Sequence, residues 1–315
     1  MKILGKHIGL GASLEIKMDI ARLYTRSKVD VPIIVERGEE DGPCLLLIGG
    51  IHGDEVNGVE IVRQIISKGY NKPKKGTIIC IPLLNVFGFL NKDRKFPDGR
   101  DLNRVFPGSK AGSLASRFAY YFMKEVVPNV DYCIDFHTGG AERFNAPQLR
   151  TIGANEEMLN LATTFGAPFI MFAKNREKTF RESMTKLGKK VLLFEGGKSL
   201  YLDNNITKTG MQGAINVMHA LGINDFVNNG HALVKPSIPV IIKKSIWIRA
   251  KHAGLYRSSI ELGEKVKKGT MLGSISDPFG SFEKPIYSAQ EGYVICANQA
   301  CLVNQGDAMF HIGLV

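Results

Sequence analysis

Three apolar segments of this sequence end in a histidine or a glutamate flanked by glycines, and this feature constrains the fold most. The segments are CLLLIGGIHGDE (44–55), YCIDFHTGG (132–140) and KVLLFEGG (190–197). Runs of this kind are typical of strands buried inside a sheet. In a sheet of parallel strands, binding sites form where the carboxyl ends of the strands meet. The sequence therefore predicts polar side chains that converge on one edge of a sheet.

Segments whose apolar residues recur at helical spacing lie between these strands over the first 230 residues. Further buried strands are predicted at 77–85 and 167–172, and apolar residues recur at helical intervals near 54–69, 113–127, 155–165, 180–187 and 213–222. Because strand and helix alternate, we expect an α/β domain over residues 1–230, with a mixed, largely parallel sheet flanked by helices.

The sequence changes character after residue 230, where short β-like segments alternate with glycine turns. A unit of valine, glycine, an apolar residue and isoleucine at three-residue intervals starts at Val266 and again at Val303. The repeat predicts a smaller all-β domain over residues 231–315 with pseudo-twofold symmetry. It resembles the barrel-sandwich hybrid of lipoyl and biotinyl carrier domains. Lys284 lies between the repeats without the methionines that often flank a carrier lysine, so we expect a structural or assembly role.

His52, Glu55 and His137 are candidate metal ligands. His52 and Glu55 are three residues apart where a strand is predicted to run into a helix, and His137 ends another strand. Zinc binds imidazole nitrogen and carboxylate oxygen, and a catalytic site keeps three protein ligands and one open position for water. Two histidines and one glutamate therefore suit a hydrolytic zinc site. Hydrolysis also needs a proton acceptor, and Glu195, which closes an apolar strand, is the candidate general base.

The segment DGRDLNRVFPG (98–108) carries candidate substrate contacts. Asn103 and Arg104 can grip a carboxylate, because a guanidinium matches its two oxygens in one plane. Arg100 is a candidate for polarising the scissile carbonyl, and local pairing of Arg100 with Asp101 is an equally open interpretation.

Four motifs together resemble the succinylglutamate desuccinylase/aspartoacylase family, a branch of the zinc-carboxypeptidase-like hydrolases. They are GGIHGDEVNG, DLNRVFPG, DFHTG and LLFEGG. The combination is highly specific although each motif alone is not, and the C-terminal β-rich part also fits the family's architecture. The resemblance implies a zinc-carboxypeptidase-like domain and a zinc-dependent hydrolase that deacylates a small N-acyl amino acid or a related amide.

The resemblance also implies roles for single residues. By motif, the chain matches the family's single zinc site (His52, Glu55, His137), its general base (Glu195) and its contacts to the substrate carboxylate (Asn103, Arg104). The family's carbonyl-polarising arginine precedes DLNR, and the loop length leaves the choice between Arg94 and Arg100 open. Arg181 matches a further substrate arginine, with a spacing to the glutamate that differs from the family's.

Two other functions stay open at this point. A zinc carboxypeptidase that acts on a peptide or a γ-glutamyl tail would use the same ligands, and activity on blocked amino acids but not on peptides would separate the two. A non-catalytic zinc-fold module for binding or assembly would have no use for Glu195 as a base, although fold alone does not fix function.

Charge and composition bear on partners and location. The formal net charge is +11, but the lysines are dispersed and no aromatic residues interleave with them, so we expect a small anionic substrate and no nucleic acid. No apolar run approaches the roughly 18 residues of a membrane span, and the N-terminus lacks a signal peptide's apolar core. The five cysteines suit a reducing compartment, so we expect a cytoplasmic protein without a membrane partner. Self-association is compatible with the sequence, which fixes no number of subunits.

Overall fold

The computed structural model describes residues 1–22, 28–152, 155–224, 226 and 238–315. Within these ranges the strands are, in chain order, β1 (Lys2–Ile3), β2 (Lys6–His7), β3 (Ser13–Arg22), β4 (Lys28–Arg37), β5 (Glu40–Gly49), β6 (Lys75–Ile81), β7 (Tyr132–Gly139), β8 (Arg143–Thr151), β9 (Phe169–Phe172), β10 (Lys190–Lys198), β11 (Val240–Ile242), β12 (Lys244–Arg249), β13 (Gly254–Ser258), β14 (Lys265–Val266), β15 (Met271–Ser276), β16 (Glu283–Tyr287), β17 (Gly292–Asn298), β18 (Leu302–Val303) and β19 (Ala308–Leu314). The helices are α1 (Val56–Ser67), α2 (Val86–Asn91), α3 (Leu114–Glu125), α4 (Glu156–Phe165), α5 (Phe180–Lys186) and α6 (Asn204–Ala220), with 3-10 turns at Leu102–Arg104 and Val127–Asn129.

One mixed sheet runs through the molecule in the order β12-β19-β17-β8-β10-β7-β5-β6-β4-β3, and β9, β11 and β14 attach beside it. Its four central strands, β10, β7, β5 and β6, are parallel. The strands on both sides, β8 and β4, join them antiparallel. The predicted α/β class with a mixed sheet flanked by helices is confirmed.

Both faces of the central strands are buried, which explains their unbroken apolar runs. On β5, Leu46 and Ile48 belong to a core that includes residues of α3 and α5. Leu45 and Leu47 point the other way, into a core with residues of α1, α4 and α6. Successive side chains of a strand alternate between faces, so one apolar run serves two helical layers.

The C-terminal strands extend the main sheet, because β17 pairs antiparallel with β8 and Cys296 lies opposite Asn145. The strands β16, β15, β13 and β18 form a second sheet. Each sequence repeat gives a two-residue strand, a glycine with positive φ (84° at Gly269, 92° at Gly306) and a longer strand. The repeated apolar residues are buried in one core.

Several details differ from the sequence prediction or fall outside what the structure describes. Strand β8 was not predicted, and α6 begins at Asn204, earlier than the expected start at 213. The expected boundary between residues 230 and 231 lies outside the described residues.

Among the helices of the described ranges, none combines the length and the apolar character needed to cross a membrane.

Candidate metal centre and active site

His52, Glu55 and His137 meet at the carboxyl edge of the parallel strands. His52 and Glu55 lie in the loop between β5 and α1, and His137 lies on β7, the neighbour of β5. Oε1 of Glu55 is 2.8 Å from Nδ1 of His52, and Oε2 of Glu55 is 2.9 Å from Nδ1 of His137. The three candidate ligand atoms lie within 4.8 Å of one another, and all three residues are buried. This group could hold a metal ion.

Two aspartates hold the second nitrogen of each imidazole. Oδ1 of Asp101 is 3.1 Å from Nε2 of His52, and Oδ2 of Asp135 is 2.9 Å from Nε2 of His137. A carboxylate at Nε2 orients each ring and can keep a proton on Nε2 when a metal takes the place of the proton on Nδ1. Sequence reasoning missed this role of both aspartates. The available signal was Asp135 two residues before His137, because such neighbours on a strand share a face.

Charge at this cluster favours a cation. Burial alone would raise the pKa of Glu55, but the two imidazoles hold it well below its usual range. Burial lowers the pKa of His137, whereas Asp135 and Glu55 raise it, and the net shift is well upward. The pKa of His52 is also raised, because Glu55 and Asp101 outweigh its burial. Three carboxylates around two imidazoles give a site that attracts positive charge.

Arg94 lies beside this cluster, and Arg100 does not. Nη1 of Arg94 donates to Oε1 of Glu55 at 3.0 Å, and its Nε donates to Oδ2 of Asp101 at 3.0 Å. The Arg100 side chain is 54% exposed and pairs with Asp98 at 3.7 Å. The structure therefore does not bring Arg100 to the position expected for a catalytic residue. The reason is a tight backbone turn, in which the N–H of Phe96 donates to the carbonyl of Arg100 at 2.8 Å.

The other predicted substrate residues line the same cavity. Asn103 is buried, and its Oδ1 accepts from the backbone N–H of Phe180 at 2.8 Å. Nη1 of Arg104 donates to the carbonyl of Asn103 at 2.6 Å. Burial lowers the pKa of Arg104, although the nearby Asp101 opposes the shift. Asn103 and Arg104, which are adjacent in sequence, thus both face the cavity from one 3-10 turn.

Arg181 is a buried cation in the same wall. Its guanidinium donates to the backbone carbonyls of Arg150 and Lys174 at 3.2 and 3.1 Å. Burial, together with the neighbouring Arg150, lowers the pKa of Arg181 to about 10. A buried guanidinium whose hydrogen-bond partners are neutral carbonyls favours an anionic ligand.

Glu195 lies on β10 directly beside His137 on β7, in parallel register. Its side chain is 13% exposed and faces the cavity. Oε2 of Glu195 accepts from Nδ2 of Asn145 at 2.8 Å, and Oε1 is 3.4 Å from Nη1 of Arg150. Neither contact was predicted, because both partners lie on the strand that the sequence did not reveal.

A cavity of about 750 Å³ connects these groups. Trp247 and Cys296 bring the C-terminal strands into its wall. Its carboxylates belong to Asp54, Glu55, Asp101 and Glu195. Cations are more numerous and comprise Arg94, Arg104, Arg143, Arg150, Lys174, Arg176 and Arg181. The cavity therefore suits a small molecule of negative charge.

The sequence and the fold both match known proteins. The family model described as succinylglutamate desuccinylase/aspartoacylase catalytic domain matches residues 41–221. N-alpha-acetyl-L-2,4-diaminobutyric acid deacetylase of Halomonas elongata is 30% identical over 295 residues, which cover 89% of this chain and 84% of that protein.

Two solved structures illustrate the likeness in fold. A succinylglutamate desuccinylase/aspartoacylase from Rhodobacter sphaeroides superposes with a TM-score of 0.82 at 22% identity and covers 96% of both chains. The product-bound ectoine utilization protein from Ruegeria pomeroyi gives a TM-score of 0.82 at 22% identity, over 96% of this chain and 94% of that chain. At this identity the likeness establishes the architecture.

Proposed function

The chain belongs to the succinylglutamate desuccinylase/aspartoacylase family, and from this premise we propose that it is a zinc-dependent amidohydrolase that deacylates a small anionic N-acyl amino acid. One observation carries the proposal. The Nδ1 atoms of His52 and His137 and the Glu55 carboxylate converge, while Asp101 and Asp135 hold both Nε2 atoms. A histidine that binds a metal through one ring nitrogen typically donates from the other to a carboxylate, and both imidazoles have a carboxylate in that place.

The donor set fits zinc better than magnesium or calcium. Two imidazole nitrogens with one carboxylate match a catalytic zinc site, whereas magnesium and calcium prefer oxygen ligands throughout. When bound, zinc would act as a Lewis acid and lower the pKa of water.

The side chains of this chain supply the remaining functions. We assign Glu195 as the group that takes the proton of the attacking water and returns it to the departing amine nitrogen. Arg94, held by Glu55 and Asp101, is placed to donate to the oxygen of the attacked carbonyl. Asn103 and Arg104 bind the substrate carboxylate, and Arg181 contributes a second positive charge to the same wall.

The excess of positively charged side chains in the cavity favours an amine half that carries no positive charge. The relative from Halomonas elongata is named a deacetylase, which makes acetyl the first acyl group to test. The amine half of that relative's substrate has a second amino group, which carries a positive charge at neutral pH. Because Arg176 and Arg181 add to Arg104 in this cavity, we expect N-acetyl derivatives of aspartate or glutamate to be turned over with a higher kcat/KM than the diaminobutyrate derivative.

The deciding experiment combines metal analysis with a substrate panel. Purified protein and the His52→Ala variant are analysed for zinc and tested on N-acetyl and N-succinyl amino acids and on unblocked dipeptides. We expect about one zinc per chain and release of the free amino acid from an acylated substrate, both lost in His52→Ala.

Other outcomes would reassign the function. Cleavage of dipeptides with no action on acylated amino acids would make the chain a carboxypeptidase. No bound zinc, with no activity after zinc is added, would favour a binding or assembly module.

A further inference from the structure

The carboxylate of Glu195 is held at both oxygens by one neighbouring strand. On β8, Asn145 donates to Oε2 at 2.8 Å and Arg150 approaches Oε1 at 3.4 Å. The Glu195 side chain is 13% exposed and that of Arg150 27% exposed, so water screens the ion pair only in part. Neither the sequence motifs nor the matches to other proteins assign a role to this pair of contacts.

An irregularity in β8 makes the double contact possible. Glu195 lies opposite Gln148, and Gly197 lies opposite Asn145, so three steps along β8 match two steps along β10. This extra residue is a β-bulge. In regular pairing Asn145 and Arg150, which are an odd number of residues apart, would point to opposite faces of the sheet. Because the bulge adds one residue between them, both side chains lie on the same face of the sheet and reach the same carboxylate.

Further charged or titratable groups surround Glu195. Arg181 of α5 acts on it electrostatically, and Cys296 of β17 lies in the same cavity wall. Arg181 makes its hydrogen bonds to backbone carbonyls and leaves the direct contacts to Asn145 and Arg150. A glutamate side chain that is free to rotate would visit several rotamers, so the hydrogen bond from Asn145 and the ion pair with Arg150 restrict it before the substrate binds.

We propose that Asn145 and Arg150 are positioning residues that fix the Glu195 carboxylate for proton transfer, and that the β8 bulge exists to aim Asn145 at it. This inference rests on the proposed function, because it requires Glu195 to act as the base. Asn145 supplies a neutral donor that sets the orientation of the carboxylate. Arg150 supplies a positive charge 3.4 Å from the other oxygen of this partly buried carboxylate.

The test compares Asn145→Ala, Arg150→Gln and Arg150→Lys with the native enzyme, loaded with zinc, on the best substrate of the acyl amino acid panel. Misplacing a reacting group by about 1 Å costs on the order of 10²-fold in rate. We expect Asn145→Ala and Arg150→Gln each to lower kcat by about 10- to 100-fold, with KM changed by less than about threefold and zinc content unchanged. Arg150→Lys keeps the charge and should recover part of the lost kcat.

Arg176→Gln is the matched control, because it removes the same charge from the same cavity and Arg176 is not among the described partners of Glu195. We expect this control to raise KM and leave kcat nearly unchanged. If Arg150→Gln or Asn145→Ala behaves like Arg176→Gln, the residues bind substrate and the positioning role is wrong. Native kcat in both variants would also overturn it. A native enzyme that holds zinc and hydrolyses no acylated substrate would overturn the proposed function, and this inference with it.

Discussion

Glu195 is the residue on which the proposed chemistry depends most, and Glu195→Gln keeps its size while removing the base. General base catalysis contributes about 10²- to 10⁴-fold to rate, so we expect kcat to fall by that amount. Zinc content should stay at the native level, because Glu195 is not one of the three candidate ligands. The measurement is steady-state kinetics with metal analysis, and Glu157→Gln, at an exposed carboxylate, serves as the control. A variant with native kcat would refute the assignment.

We expect Asp135 to contribute to the affinity for the metal as well as to the stability of the fold. It is fully buried and accepts from Nε2 of His137 at 2.9 Å. Asp135→Asn allows the ring to take the other tautomer, which would place a proton on the nitrogen that faces the candidate metal position. Loss of such a partner typically costs about 10- to 100-fold in metal affinity.

We therefore expect the zinc dissociation constant of Asp135→Asn, measured by competition with a chelator, to rise by about 10- to 100-fold. Asp41→Asn, at a carboxylate that is 81% exposed, controls for the loss of one negative charge. Equal zinc affinity in both variants would mean that Asp135 has no part in holding the metal.

The sequence predicted some of these residues and not others for physical reasons. His52, Glu55 and His137 could be grouped because parallel strands end at one edge of the sheet, and the structure brings them together. The choice between Arg94 and Arg100 could not be made, because it depends on how the chain turns at Phe96. The contact of Asn145 with Glu195 depends on a register shift, which local sequence does not encode.

At the scale of elements, the position of α1 is set by glycines that let backbones approach closely. A Cβ on Gly58 would lie 2.7 Å from the carbonyl oxygen of Phe136 on β7, and one on Gly49 would lie 2.7 Å from the backbone of Gly58. Helix α1 starts directly after Glu55, so its distance from β7 also sets the distance between Glu55 and His137. We therefore expect this spacing to matter for the site as well as for the core.

Gly58→Ala should therefore weaken both the fold and the metal site. Overpacking of this kind costs typically about 1–3 kcal/mol, and we expect the free energy of unfolding in denaturant to fall by that amount. Zinc affinity should fall in the same variant, because α1 must move away from β7. Gly9→Ala is the control, since a Cβ at Gly9 meets nothing within 4 Å. If the Gly58→Ala variant is less stable but binds zinc with native affinity, the packing of α1 against β7 does not determine the geometry of the metal ligands.

At the scale of the whole molecule, the two parts of the chain share a sheet and a core. Strand β17 continues the main sheet through β8, and a cluster between them joins Ala146, Phe169, Met171, Ile242 and Ile295. We propose that residues 1–230 and 231–315 are two units that unfold together. The alternation of strand and helix predicted the first unit and the glycine repeat predicted the second. Their joining through β8 could not be predicted, because the pairing of distant strands depends on tertiary contacts.

Ile295→Ala tests this coupling, because Ile295 is fully buried on β17 in the shared cluster. Removing a buried isoleucine side chain costs about 2–5 kcal/mol. Far-UV circular dichroism reports on the described helices, which all end by Ala220, and fluorescence reports on Trp247, the single tryptophan of the sequence. We expect the two probes to give one coincident transition in the native protein, and to shift together in Ile295→Ala.

The control is Ile238→Ala, the same change at a residue that is 96% exposed. If only the fluorescence transition moved, the units would unfold independently, and Trp247 would reach the cavity from a unit that can detach from the site.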